Sequence, residues 1–411
     1  RLLPLDLKSN NIFAVHSRNL SNGYSIDYGD TAGVFPALDN SYNVDFDRAE
    51  RLFERVPPFI IASWEDSTGN NLGHIVRVPI SVSHLYGYQN NSDRIKYARS
   101  LLNLTTDFIK GRVADNPEEV VFGLGLTMAS LTNFGKSVEG VQTTTGHCLT
   151  TEAIISMPEK ILFERGIDPK DEVVSVHGCG SIGTASAILL NETYGIDKFV
   201  ICDIDKSSTK KLCKVLKQRG CQVVTYSNGE NKEAMSKATI VVSAASVKKP
   251  IMNIHNVPEG VLVIDDSQPP SIDVTKGYKE NVLHTWPLME AENVYRNNYF
   301  NDTEQYNYGQ NGVAPVPNYP GIIEWGCGSE VLAQAQHSDR DILVKKPVSV
   351  ESVKGYRSHL NHRDVTISGA SLPQSMGNLT SADKVNDFIL PHQCLGVMEV
   401  VIFFTAPKST K

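Results

Sequence analysis

The chain has 411 residues, of which 41% are hydrophobic and 21% are charged, and its formal net charge is −7 at pH 7. A chain of that length is too long to fold around one hydrophobic core of ordinary size, so we expect two or three domains. The excess of acidic over basic residues argues against nucleic-acid binding, because nucleic-acid-binding domains usually carry a basic surface. No apolar run reaches the length of a transmembrane helix. The seven cysteines are scattered without C-x-x-C spacing, which indicates reduced thiols, no metal site and a cytoplasmic location.

The first 150 residues are predicted to form an N-terminal α+β substrate domain. Residues 1–55 are irregular in pattern, and hydrophobic periodicity becomes clear only after them. The predicted elements are strands over 59–62, 73–78 and 119–125, a helix over 94–111, and a long helix that begins near 143–147.

Residues 151–290 are predicted to form a dinucleotide-binding domain, because short apolar runs alternate there with helical patterns. The predicted strands cover 172–177, 198–203, 221–226, 238–243 and 261–265. The fold class is therefore α/β, a Rossmann-type doubly wound parallel sheet flanked by the N-terminal α+β domain and a C-terminal segment.

Residues 291–411 are predicted to form that C-terminal segment, which returns to the substrate domain. Its first part, 291–312, is polar and rich in Asn and Tyr, which predicts a long loop or insert. The remaining predicted elements are an apolar stretch and helix over 322–336, a helix near 349–360 and an apolar run over 397–404.

The most specific motif follows the first strand of the predicted parallel sheet and reads Gly178-Cys179-Gly180-Ser181-Ile182-Gly183. In a G-x-G-x-x-G turn, one glycine forms the turn, one lets the backbone approach a pyrophosphate, and one lets helix and strand pack closely. The phosphate then binds free N–H groups at the helix N-terminus. The turn therefore predicts an NAD(P)H site, and the alternative is a glycine-rich turn that binds nothing. The candidate cofactor-binding residues are Gly178, Cys179, Gly180, Ser181, Ile182, Gly183, Asp203, Ala244, Ala245 and Ser246.

Asp203 ends the second strand of this array, where a carboxylate accepts hydrogen bonds from the adenosine ribose and repels a 2′-phosphate. It therefore favours NADH over NADPH. Lys206, Lys210 and Lys211 follow and could neutralise a 2′-phosphate, or could form the solvated face of a helix. The small residues of 243–246 would leave room for the nicotinamide ribose.

Three residues outside the glycine turn are candidates for chemistry. Cys327 lies between two glycines ahead of a helical pattern, where the helix dipole favours a thiolate able to attack a thioester or carbonyl. The alternative is a small residue in a tight turn. Glu330 could act as an acid or base, or cap the start of its helix. His147 could donate a proton to substrate, or be structural.

These motifs occur in an order that resembles the long-chain acyl-(acyl-carrier-protein) reductases of cyanobacteria. The order is Gly73-His74-Ile75-Val76-Arg77, Gly123-Leu124-Gly125, Thr144-Thr145-Gly146, the nucleotide fold and Cys327-x-x-Glu330, over roughly 57–340. The resemblance implies NADPH as cofactor, an acyl thioester as substrate and an acyl carrier protein as partner. It implies that Cys327 forms a covalent acyl-enzyme, that the product is an aldehyde, and that Thr144, Thr145 and Gly146 contact substrate.

Two other functions remain open. The first is a non-covalent NAD(P)-dependent dehydrogenase acting on an amino or hydroxy acid, which would need an acid–base couple. Lys136 is the only lysine over 123–147, so no such pair is evident there. The second is a nucleotide-binding protein without catalysis. The sequence sets neither the acyl group nor the oligomeric state.

Overall fold

The computed structural model describes most of the chain in separate stretches. These are residues 11–17, 58–81, 92–112, 120–125, 128–165, 168–227, 231–247, 250–267, 271–273, 279, 282–285, 287–292, 294–298, 321–335, 346–357, 361–362, 365–370 and 401–403.

The helices and strands are numbered separately in chain order. The helices are α1 (Ser92–Arg112), α2 (Met128–Leu131), α3 (His147–Arg165), α4 (Ser181–Tyr194), α5 (Lys206–Gln218), α6 (Asn231–Ser236), α7 (Gly326–Ala335) and α8 (Val350–Arg357). The first nine strands are β1 (Asn11–Ser17), β2 (Phe59–Asp66), β3 (Asn71–Ser81), β4 (Val121–Leu124), β5 (Gln142–Thr144), β6 (Val173–His177), β7 (Lys198–Cys202), β8 (Gln222–Tyr226) and β9 (Ile240–Ser243). The other strands are β10 (Met252–Asn253), β11 (Leu262–Asp265), β12 (Ile272–Asp273), β13 (Leu283–Thr285), β14 (Leu288–Glu292), β15 (Val294–Asn298), β16 (Gly321–Trp325), β17 (Asn361–His362), β18 (Val365–Ala370) and β19 (Val401–Phe403).

Six strands form a parallel sheet in the order β13-β11-β9-β6-β7-β8. The inner strands are apolar runs buried on both faces, which is why they lack the alternation of a half-exposed sheet. Chain order reverses between β6 and β9, with His177 paired with Cys202 on one side and Ser243 on the other. The predicted α/β fold with a doubly wound parallel sheet is confirmed.

The two helices beside β6 and β7 begin and end for different local reasons. The small residues of α4 bury one face against the sheet, and Gly195 ends the helix in the left-handed conformation, at a φ of +71°. The carboxylate of Asp205 caps α5 by accepting a hydrogen bond from Ser207 N at 2.8 Å. The lysines of α5 lie on its exposed side, and Leu212 and Leu216 are buried.

The described residues form three further sheets. One has seven strands in the order β15-β2-β3-β19-β1-β4-β5, one has four in the order β16-β14-β18-β17, and one is the pair β10-β12. Because β14 and β15 are nearly consecutive in sequence yet belong to different sheets, residues 288–298 connect the two. The helix α8 is tied to α3 by an ion pair between Arg357 and Glu152 at 2.6 Å.

Two predictions from composition were wrong. Residues 291–298 were expected to lie in a loop, but 291–292 belong to β14 and 294–298 to β15, with Ala291 opposite Ile322 and Val294 opposite Asp66. Residues 11–17 were expected to be irregular, but they form β1, parallel to β3. Both segments are held as strands by partners distant in sequence, which local composition does not reveal. Residues 299–312 lie outside the described part of the chain.

Candidate functional site

The 178–183 turn connects β6 to α4 at the carboxyl edge of the parallel sheet. Gly178 has a φ of +96°, and a β-carbon added there would lie 2.6 Å from the Ala244 carbonyl oxygen. A β-carbon at Gly183 would collide with the Gly178 carbonyl oxygen, so this glycine permits close packing of helix on strand. Gly180 has no heavy atom within 4 Å of an added β-carbon and faces open space. The three glycines therefore have three separate physical roles.

The N-terminus of α4 has backbone donors available to a ligand. Gly180 is its N-cap and provides no side-chain hydrogen bond, whereas Asp205 caps α5 with its carboxylate. The first N–H groups of a helix have no partner within the helix, and they carry the positive end of its dipole. Among the described residues no carboxylate caps α4, so the geometry suits an anion such as a pyrophosphate.

Asp203 lies immediately after β7, beside the turn. One of its carboxylate oxygens accepts a hydrogen bond from Cys179 N, and the other accepts one from Asp205 N at 2.7 Å. These bonds fix the carboxylate at the carboxyl edge of the sheet while each oxygen keeps a further lone pair. The next residue, Ile204, is a large apolar side chain that is 74% exposed. A fixed acceptor beside an exposed apolar surface suits a ribose and its attached base.

The segment 243–246 faces the turn from the other side of β6. Ala244 N donates a hydrogen bond to the His177 carbonyl oxygen at 2.8 Å, which continues the pairing of β9 with β6. Ala244 and Ala245 are half-buried and Ser246 is exposed. The structure therefore brings the predicted cofactor residues together around the point where strand order reverses, which is where open α/β sheets bind ligands.

A buried polar cluster beneath this segment was missed by sequence reasoning. The Asp265 carboxylate, at the end of β11, accepts hydrogen bonds from Ser267 N, Ser271 N and Ser271 Oγ at 2.9–3.0 Å. The ring of His284 lies 3.7 Å from it, and both side chains are fully buried. The available signal was an acidic residue at the end of a predicted strand, the same feature that singled out Asp203.

Glu330 lies on α7, but it caps a different helix. Its Oε1 accepts hydrogen bonds from Thr144 Oγ1 and Gly146 N, and its Oε2 accepts them from Cys148 N and Leu149 N at 2.7 and 3.1 Å. Burial raises the pKa of this carboxyl group, and these four donors oppose the shift. The predicted cap is thus found at the start of α3 instead of α7. Glu330 and Thr144 are fully buried and bonded to each other.

The start of α7 packs tightly against the start of α3. A β-carbon at Gly326 would lie 2.6 Å from Thr150 N and 2.7 Å from the Leu149 carbonyl oxygen. Gly326 therefore lets the two helices approach each other. Cys327 itself is half-buried and packs against the hydrophobic core.

His147, the first residue of α3, is half-buried and its Nδ1 has no hydrogen-bond partner among the described residues. Burial lowers its pKa from 6.5 to about 4, so the ring is neutral at physiological pH. It packs edge-on against Phe134, with ring centroids 6.3 Å apart. The neighbouring Thr145 is buried, and its Oγ1 accepts a hydrogen bond from His147 N at 3.5 Å.

The described residues contain no group of three or more side chains that could hold a metal ion. None of the helices in those stretches is both long enough and apolar enough to cross a membrane.

Part of the chain is similar to known proteins. Residues 167–266 match the family model of the ornithine cyclodeaminase/mu-crystallin family. No curated protein matches the sequence. The resemblance to acyl-(acyl-carrier-protein) reductases was therefore wrong, and the structure explains the misleading motif. The spacing Cys327-x-x-Glu330 arises where α7 packs on α3 and Glu330 caps it.

Solved structures are similar to part of the chain. Δ1-pyrroline-2-carboxylate reductase of Thermococcus litoralis is 18% identical, with 29% of this chain and 35% of that chain covered and a TM-score of 0.24. Quinate dehydrogenase of Corynebacterium glutamicum is 22% identical, covering 32% and 46%, with a TM-score of 0.25. Glutamyl-tRNA reductase of Methanopyrus kandleri is 19% identical, covering 49% and 48%, with a TM-score of 0.28. This chain thus spans less than half the length of each of these three proteins.

Proposed function

We propose that the protein is a non-covalent NAD(P)(H)-dependent oxidoreductase that acts on an amino acid or hydroxy acid. The observation that carries the proposal is the 178–183 turn, with its open Gly180 and uncapped α4 N-terminus. The family match over 167–266 supports the same conclusion, because it includes the turn, Asp203 and the segment 243–246. The first solved structure described above was determined with NADH and L-proline, which is consistent with this class of reaction.

The residues around the turn fit a nicotinamide dinucleotide. The α4 N-terminus would hold the pyrophosphate, Asp203 would accept the adenosine ribose hydroxyls, and Ile204 would cover the adenine. A carboxylate at Asp203 would repel a 2′-phosphate, so we propose NADH as the preferred form. When bound, the nicotinamide would give or accept a hydride. The protein residues would bind and orient the cofactor and the substrate and would exclude water from them.

The substrate side of the site would be formed by the start of α3. The end of α3 leads into the start of β6, and Tyr194 at the end of α4 donates a hydrogen bond to the Ile155 carbonyl oxygen of α3 at 2.7 Å. The end of α4 therefore lies against the middle of α3. We propose that α3 runs in the same direction as α4, so that its first turn would face the carboxyl edge of the sheet. This arrangement would place His147 and Thr145 toward the ligand side.

His147 is the residue we propose to contact the substrate. In the direction of oxidation, a neutral imidazole nitrogen can accept the proton that the substrate amine or hydroxyl loses as hydride leaves its carbon, and in reduction the imidazolium returns that proton. Cys327 serves to pack α7 on α3 in this proposal and forms no covalent intermediate.

A turnover assay tests the proposal. The purified protein would be incubated with NADH and a panel of 2-oxo acids, with and without ammonium, and NADH absorbance followed. We expect oxidation with at least one acid, retained in Cys327→Ala and strongly reduced in His147→Leu. Loss of turnover in Cys327→Ala, together with an acyl adduct on the wild-type protein in intact mass spectra, would contradict the non-covalent route.

A further inference from the structure

The segment 243–246 is the part of the candidate site that lies across the order reversal from Asp203. In open α/β sheets the dinucleotide spans this reversal, with its adenosine half on one side and its nicotinamide half on the other. Asp203 follows β7 and marks the adenosine side. The segment follows β9 on the opposite side of β6, so it faces the nicotinamide riboside half of the ligand.

A buried hydroxyl helps to tie this segment to the end of β11, next to the hydrogen bond that Asp266 N donates to the Ser243 carbonyl oxygen at 2.7 Å. Ser267 Oγ accepts a hydrogen bond from Ala245 N at 3.1 Å and lies 3.0 Å from Ser243 Oγ. Ser267 is 2% exposed, so water does not compete for these bonds. Its own backbone N donates to Asp265 Oδ1 at 3.0 Å, which holds the hydroxyl in place.

Ala245 in turn contacts the glycine turn. A β-carbon added at Gly178 would lie 2.6 Å from the Ala244 carbonyl oxygen and 3.0 Å from the Ala245 α-carbon. The backbone of the segment is therefore confined between Gly178 on one side and the Ser267 hydroxyl on the other. A shift of a few tenths of an ångström in the segment would change the space available beside the turn.

We infer that Ser267 is a positioning residue for the nicotinamide half of the nucleotide, acting through the backbone of Ala245. The inference rests on the proposed function. The Ser267 hydroxyl has this positioning role because it is hydrogen-bonded to the segment 243–246, and burial alone would not give it that role.

Ser271 provides a matched control within the same cluster. Its hydroxyl donates to Asp265 Oδ1 at 3.0 Å and it is fully buried, but it makes no hydrogen bond to 243–246. Ser267→Ala and Ser271→Ala thus each remove one buried hydroxyl from the Asp265 cluster. Only the first removes a support of the segment.

The experiment is a titration calorimetry comparison of wild type, Ser267→Ala and Ser271→Ala with NADH and with ADP, alongside thermal melting. ADP contains the adenosine and the diphosphate but lacks the nicotinamide riboside. We expect Ser267→Ala to raise the Kd for NADH about three- to ten-fold, the range for one neutral hydrogen bond, with the Kd for ADP within about two-fold of wild type. Ser271→Ala should lower the melting temperature without changing either Kd, and Ser267→Thr, which keeps a hydroxyl, should restore NADH affinity.

Equal weakening of NADH and ADP, or equal NADH affinity in the two alanine variants, would overturn the inference. Should Ser267→Ala fail to fold, Ser267→Cys serves the same comparison because a thiol is a weak acceptor. If wild type binds neither NADH nor NADPH, it is the proposed function that fails, so the two failures are distinguishable.

Discussion

Cys327 lies against Gly146 so closely that a β-carbon on Gly146 would collide with the Cys327 β-carbon and come within 2.8 Å of its α-carbon. Gly146 also has a φ of +74°. Position 146 therefore requires glycine for two reasons, its backbone conformation and the close contact with Cys327. This contact is part of the packing of the start of α7 against the start of α3.

Gly146→Ala should therefore cost more stability than a positive φ alone requires. Gly69 has a φ of +85° and nothing within 4 Å of an added β-carbon, so Gly69→Ala measures the conformational cost by itself. We expect Gly146→Ala to lose about 1–3 kcal/mol more in free energy of unfolding than Gly69→Ala, the usual cost of overpacking. Urea denaturation of both variants measures the difference. Equal losses of unfolding free energy would mean that the structure around Cys327 can accommodate the added methyl group without loss of stability.

Removing the Glu330 carboxylate should destabilise the protein strongly. Glu330→Ala leaves Thr144 Oγ1 and the N–H groups of Gly146, Cys148 and Leu149 buried without their acceptor. We expect a loss of about 3–5 kcal/mol, because each unsatisfied buried donor costs about 1–3 kcal/mol and the helix start relaxes in part. Glu330→Gln keeps one acceptor oxygen and should lose less. An alanine variant as stable as wild type would show that the cap is dispensable.

His147 should make the protein less stable in acid. Its pKa in the folded protein is about 4, below the value of 6.5 in the unfolded chain. The unfolded state therefore takes up the proton first, and stability is lost as the pH falls from about 6.5 to about 4. We expect the loss between pH 7 and pH 5 to be smaller in His147→Leu than in wild type, as measured by urea midpoints. Identical losses in both proteins would count against a neutral His147 ring in the folded protein.

Gly180→Ala should weaken nucleotide binding without affecting folding. Gly180 has a φ of −67° and open space around an added β-carbon, so alanine fits the protein itself. The methyl group would occupy the face by which a pyrophosphate approaches, and we expect the NADH Kd to rise by about ten-fold or more.

The control for that variant is Gly111→Ala, which adds the same methyl group in open space within α1. Its NADH affinity should equal that of wild type, and the melting temperatures of both variants should stay near that of wild type. Unchanged NADH binding by Gly180→Ala would place the nucleotide elsewhere.

Asp203 should decide between the two nicotinamide cofactors. Asp203→Asn keeps an acceptor for Cys179 N or Asp205 N but loses the charge that repels a 2′-phosphate. We expect NADH to bind about ten-fold more weakly, as for loss of a charged hydrogen bond, and NADPH to bind more tightly than in wild type. Calorimetric titration with both cofactors gives the ratio of the NADPH Kd to the NADH Kd. A ratio equal to that of wild type would show that Asp203 does not bind the ribose.

The parallel sheet and the glycine turn could be predicted from the sequence because both are local in origin. Apolar runs of strand length encode β6, β7, β9 and β11, and the spacing of Gly178, Gly180 and Gly183 encodes the turn. The features that could not be predicted depend on contacts between residues that are distant in the sequence. The strands β1 and β15 are stabilised by pairing with distant strands, and Glu330 caps a helix that begins 183 residues earlier in the chain, at His147.

The same distinction applies to Gly326. In the sequence this glycine stands beside a candidate nucleophile, but it is the backbone of α3, which lies directly against it, that requires a glycine there. The Asp265 cluster was missed because its hydrogen bonds connect three strand ends, although the acidic residue after an apolar run was visible in the sequence.

A calorimetric titration of the wild-type chain with NADH and, separately, with NADPH tests directly whether the protein binds a nicotinamide dinucleotide. We expect saturable binding of a single NADH per chain, tighter than that of NADPH. Absence of binding by both cofactors under conditions where the protein is folded would contradict that expectation.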